Sequence, residues 1–168
     1  MTAELSRLDL RVDADLDDPD EFVVAVLVDG VALFELPGEN GRVGTYPSEF
    51  GLAAVPQHPA RVVVATCACR NRGCEDLAPL VTADNGVVLW SDFRTFTGWD
   101  DYESPPIADA PPSAGHPSGI ADLRFDAAQY AAEIRRFTAD RSWWTPVYTA
   151  RMAALALYEA QRRSIERE

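Results

Sequence analysis

Leu77-Ala-Pro-Leu-Val-Thr-Ala83, then Asp84-Asn85-Gly86, then Val87-Val-Leu-Trp-Ser-Asp-Phe93 is the stretch that decides the fold. Two β-rich runs flank an Asn-Gly pair. A type I′ turn needs positive φ at both central residues, which Asn and Gly accept most readily, so the stretch predicts an antiparallel hairpin. Upstream, Phe22–Val28, Asp29-Gly30 and Val31–Leu36 repeat the pattern and predict a second hairpin. Leu8, Leu10 and Val12 alternate with polar residues, as a half-buried strand requires. Val62–Ala65 reads as a further strand, which runs into three cysteines.

Residues 37–60 hold four glycines and four prolines and read as a long loop, with one helical turn near Ser48–Ala54. Residues 97–120 hold five prolines and read as an irregular surface excursion. The last third changes character. Asp126 is an N-cap for a helix to about Ala139, with Tyr130, Ile134 and Phe137 on one face. Thr145-Pro146 supplies a cap and a first-turn proline for a second helix, which carries Val147, Met152, Leu155 and Leu157 toward the basic Gln161-Arg-Arg. The expected architecture is α+β: an antiparallel sheet of about six strands with two C-terminal helices packed on one face or edge. It forms a single domain over 1–168, β-rich over 1–123 and helical over 124–168.

The chain has 168 residues, 47% of them apolar, enough for a real core. No run reaches the roughly 18–20 apolar residues of a membrane span. The N-terminus lacks a basic region followed by an apolar core, so no export signal is read and a cytoplasmic, reducing location is expected, where structural disulfides are disfavoured. All fifteen cationic side chains are arginine, which excludes lysine Schiff-base chemistry and a Gly-Lys-Ser/Thr phosphate loop. Glycine-rich dinucleotide loops are also missing, so no nucleotide cofactor is expected. The net charge is −12. From Arg124 onward, eight arginines against six acids give +2, and the preceding residues carry −14. Nucleic acid is therefore disfavoured as a partner. The acidic run Asp13–Glu21 reads as a solvated loop, or as a surface for a basic protein.

Cys67-Ala-Cys69-Arg-Asn-Arg-Gly73-Cys74 contains every cysteine in the chain. Three thiols on one loop are metal ligands, a redox device or small core residues. For a metal, Cys67, Cys69 and Cys74 supply three donors. A fourth would come from water, Glu75, Asp76 or Asp92. Zinc is the first candidate and non-haem iron the second, because three cysteines cannot complete an ordinary four-thiolate cluster. For redox chemistry, Arg70 and Arg72 would lower neighbouring thiol pKa values. His58 and His116 each precede proline in a predicted loop and read as surface residues. Asp92 is the candidate catalytic carboxylate, and between Trp90 and Phe93 its pKa should rise unless an arginine pairs with it. Trp90, Trp99, Trp143 and Trp144 lie beside acids or at element ends and are candidates for binding a small molecule, against the plainer reading that they staple helices to the sheet.

Residues 64–93 resemble an uncharacterised family of small bacterial proteins. The elements that carry the likeness are the Cys67–Cys74 loop with Gly73, Pro79-Leu80 opening a hairpin, and Trp90-Ser91-Asp92-Phe93 closing it. Phe125-Asp126 with Tyr130 resembles the start of that family's helix. The resemblance implies that the cysteines and Trp-Ser-Asp-Phe form one unit and supplies no activity. A histidine expected shortly after Phe93 is replaced here by Arg94-Thr-Phe-Thr-Gly98, which argues against a closed zinc site. The functional expectation is a three-cysteine transition-metal protein, extending to a metal-dependent enzyme acting on a small molecule. The alternatives are a non-enzymatic acidic interaction protein, such as an immunity or regulatory partner, and a thiol redox sensor.

Overall fold

The β7–β8 hairpin is the spine of the molecule. In the computed structural model, which describes residues 4–14, 22–35, 41–47, 50–52, 56–69, 74–99 and 106–165, strand β7 spans Glu75–Asp84 and β8 spans Val87–Thr97. They pair from Asp84↔Val87 to Glu75↔Thr97. Asn85 (φ 48°) and Gly86 (φ 77°) form the turn between them, both with the positive φ that a type I′ turn demands. Both strands run further than the sequence pattern indicates. A β-bulge hides the continuation: Ala78 pairs with Arg94 but Leu80 with Ser91, so Asp92 and Phe93 together oppose Pro79. Asp92 takes φ 44°, the left-handed conformation that starts one type of bulge. Pro79 has no N–H to give to the ladder, so a mid-strand proline is accommodated where the ladder is already interrupted. The bulge shifts the alternation by one, and Trp90 and Phe93, three residues apart, both enter the core.

The other strands are β1 (Leu8–Ala14), β2 (Phe22–Val28), β3 (Val31–Ala32), β4 (Arg42–Val43), β5 (Ala60–Arg61), β6 (Ala65–Cys67), β9 (His116–Pro117) and β10 (Leu123–Asp126). The fold is α+β with antiparallel sheets, as expected, but the described strands number ten and form two sheets. One has order β1-β2-β3. The other runs β10-β8-β7-β6-β4, with β5 beside β7 and β9 beside β8. The additional strands are short, two residues in β4, β5 and β9 and four in β10, and are set by distant partners rather than by local pattern. The second predicted hairpin is shorter than expected: Asp29 (φ 53°) and Gly30 (φ 84°) make the turn, but a 3-10 turn at Leu33–Glu35 follows β3. The strand expected over Val62–Ala65 lies instead at Ala65–Cys67, while Val62 and Val64 donate to Pro79 and Leu77 of β7. Of the helical turn expected near Ser48–Ala54, the described residues 50–52 are not helical; the rest of it and most of the acidic run fall outside the described residues.

Two isolated bridges join the sheets, Ser6↔Phe125 next to β10 and Val24↔Thr45 next to β4. The strands thus form a ring, β1-β2-β4-β6-β7-β8-β10, around one apolar cluster. Gly44 makes the second junction possible: a Cβ there would lie 2.2 Å from the Val24 carbonyl oxygen.

Helix α1 (Ala127–Ala139) begins where predicted, with Asp126 accepting hydrogen bonds from the N–H groups of Ala128 and Gln129. It buries Tyr130, Ile134 and Phe137. Its polar side chains complete the open edge of β1. Gln129 brackets Leu8, Glu133 accepts from the Leu10 N–H at 2.7 Å, and Arg136 donates to the Leu10 carbonyl at 2.7 Å. This satisfies backbone groups that an edge strand would otherwise present to other chains. Helix α2 (Pro146–Ile165) is capped by the Thr145 hydroxyl, which accepts from the Tyr148 N–H. Tyr148 is buried, but Val147, Leu155, Leu157 and Tyr158 are exposed, contrary to the expectation that this helix packs on the sheet. Among the described residues no helix is long and apolar enough to cross a membrane.

Candidate metal site

The cysteine loop lies at the open end of the spine, opposite the Asn85-Gly86 turn. Cys67 ends β6 and pairs with Arg42 of β4, and Cys74 precedes β7 with its carbonyl accepting from Gly98 N–H at 3.2 Å. The tight turn after Cys67 is held by Ala68 N–H to the Gly41 carbonyl at 2.9 Å, and it directs the Cys69 N–H onto Cys67 Sγ at 3.4 Å. The three Sγ atoms lie within 4.8 Å of one another, and no disulfide joins them. A Zn–S bond of about 2.3 Å places sulfurs about 3.8 Å apart in a tetrahedral set. Sub-ångström movements of side chains on a loop would close the gap. The cysteines can therefore hold one metal ion. Cys69 is exposed and the other two are partly buried, so the loop is accessible rather than packed into the core.

The thiols also act on one another. Hydrogen bonding to Cys69 first, and to Cys67 second, pushes the Cys74 thiol up to about 12. The Cys74 thiolate is thus disfavoured unless a cation sits among the sulfurs.

Next to Cys67 stands a buried charge that the sequence reading missed. Arg42, directly opposite it in register, is 6% exposed at its side chain and donates to Glu75 Oε1 at 2.5 Å and Thr95 Oγ1 at 2.9 Å. Its isolation in a glycine-rich stretch left no signal in the sequence. Glu75, one of the candidate fourth ligands, is engaged by this pair.

Asp92 does not join the cysteines. It lies five residues up β8 from Thr97, about 16 Å at a strand's rise per residue. Both its carboxylate oxygens are occupied: Arg94 Nε donates to each at 3.0 Å, and Arg61 Nη2 donates to Oδ2. Arg61 is buried, also donates to the carbonyls of Asp92 and Ala78, and stands over the Phe96 ring. Arg94 reaches on to the carbonyls of Ala114 and Gly115, fastening residues 114 and 115 to the sheet. Burial raises the Asp92 pKa, but the hydrogen bonds from Arg94 and Arg61 outweigh it, and the group is held below the usual carboxylate range. Such a carboxylate is a poor proton acceptor, and its evident task is to hold the bulge.

The four tryptophans occupy different settings. Trp90 is fully buried against Phe93, Phe125 and Tyr130. Trp99 meets Phe96 edge-on. Trp143 and Trp144 pack together between the helices, with Phe22, Phe137 and Tyr148 around Trp143, and Arg141 over the Trp144 ring. His58 and His116 are exposed, and His116 lies in β9 opposite Thr95. Among the described residues no histidine or carboxylate shares the cysteine group. No protein-family model matches the chain, and neither a curated protein nor a solved structure is similar to it.

Proposed function

We propose that this is a transition-metal-binding protein whose site is Cys67, Cys69 and Cys74. The observation that carries the reading is the convergence of three Sγ atoms within 4.8 Å of one another, with Cys69 exposed. The Cys69 N–H aimed at Cys67 Sγ supports it, since backbone hydrogen bonds to sulfur are a device by which proteins tune thiolate ligands. Zinc is the first ion to test and non-haem iron the second. With three protein donors the remaining position is open to water or a small molecule, which the ion would polarise.

Elemental analysis of protein purified without added metal is the test. Near-stoichiometric metal that is lost in the Cys67→Ser variant is expected. Less than about a tenth of an equivalent, far below the occupancy of a true site, removes the reading. A second reading, an interaction protein, is favoured by the exposed Val147, Leu155, Leu157 and Tyr158 of α2. Under that reading the cysteine variants bind the partner unchanged; loss of binding in a folded cysteine variant would count against it.

A further inference from the structure

We infer that the cysteine loop is a three-coordinate, all-sulfur site that selects copper(I) over divalent zinc. The inference rests on the metal-site reading but replaces its zinc and iron candidates with another ion and closes its open fourth position.

The donor set is the first ground. Among the described residues the ligand group consists of three sulfurs, and no imidazole or carboxylate belongs to it. Glu75, adjacent to Cys74 in sequence, has Oε1 held by Arg42. Asp92 is held by Arg61 and Arg94. Recruiting Asp92 would take its anion from Arg61, whose side chain is 4% exposed, a costly exchange for a buried charge. Zinc in proteins is almost always tetrahedral, so here it would depend on a water molecule for its fourth donor. Soft thiolates hold copper(I) and zinc alike, but closed-shell copper(I) is stable with three donors in a plane. Sulfurs about 2.3 Å from a central ion are about 4.0 Å apart in that plane, compared with about 3.8 Å in a tetrahedron. The sulfurs, all within 4.8 Å of one another, are compatible with either arrangement.

Accessibility is the second ground. Cys69 is exposed, so one side of the site is open to solvent. A three-coordinate ion can accept an incoming thiolate before it releases one of its own. The loop is thus suited to taking up and handing on copper(I) rather than to locking in a structural ion. Binding replaces thiol protons with Cu⁺, and no electron is transferred.

The experiment is anaerobic titration of the reduced full-length chain with copper(I) buffered by bicinchoninate, followed by X-ray absorption at the copper edge and challenge with a tenfold excess of zinc(II). The expected result is one copper per chain, three sulfur neighbours, no nitrogen or oxygen neighbour, and copper retained against zinc. Cys69→Ser should weaken copper(I) by more than the roughly 10–100-fold that loss of a supporting contact costs. Its circular dichroism should be unchanged, because the side chain is exposed. Displacement by zinc, a fourth light-atom ligand or multicopper clusters would overturn the inference and leave the metal site standing. Failure to bind either ion would overturn both.

Discussion

At its turn end the β7–β8 hairpin closes over apolar rings. Trp90, Phe125 and Tyr130 are fully buried there, and α1 starts beside the turn, with the Ala127 N–H donating to the Gly86 carbonyl. At its open end the same two strands carry Glu75 against a buried arginine, with three thiols alongside. The Asp92 bulge lies between these ends and marks the change. The turn end is held by non-directional burial, which tolerates no lost volume. The open end is held by directional hydrogen bonds to charged groups, and its thiols are left accessible. Stability and chemistry have been placed at opposite ends of one hairpin.

Trp90→Ala should break this contrast most severely. Removing a fully buried indole that touches three aromatic rings is expected to cost about 3–5 kcal/mol, read as a lower urea midpoint. A cost below about 1 kcal/mol would mean that the turn end is not the rigid one. Glu133 comes next. Its carboxylate links Leu10 and Arg136 and is held below 4.5, first by the Arg136 hydrogen bond, against desolvation, and then by the Leu10 N–H. A depressed folded-state pKa contributes stability that is present above the unfolded value and lost as pH falls through the folded one. Glu133→Gln should therefore lose about 1.5–3 kcal/mol at neutral pH, the range for a hydrogen bond to a charged group, and lose less than the parent on acidification below the usual carboxylate range. Thermal melts from pH 7 to pH 3 measure both, and parallel curves would contradict the assignment.

At the open end, Cys69→Ser should change apoprotein stability by less than about 0.5 kcal/mol, as for other surface substitutions. The difference should appear only with metal. An ion at about 100 times its dissociation constant stabilises the parent by about 2.7 kcal/mol, and the variant should lack most of that shift. Equal shifts in both proteins would place the metal elsewhere.

Sequence reading reached the turns, the helix caps and the thiol cluster because each is a local property. Asn85-Gly86 and Asp29-Gly30 bend where glycine and asparagine permit, and Asp126 and Thr145 cap the helices that follow them. It missed Arg42, and it placed Asp92 too near the cysteines, because charges find their partners only after distant strands pair. Arg61 and Asp92 are 31 residues apart, and Glu133 meets Leu10 across 123. The full length of β8 was obscured by the bulge, which shifts the alternation that a strand reading depends on.

By itself, then, the sequence determined an α+β chain with two tight hairpins, two capped helices and every thiol on one loop, since backbone preference and residue spacing act within a few residues. Tertiary structure alone decided that the two sheets close into a ring through Gly44, that Asp92 is bound by arginines, and that the three sulfurs converge into one group that no described carboxylate or histidine shares. Those outcomes depend on which groups meet across long separations, and the free energy of a charge or a ligand set is fixed by its neighbours in space.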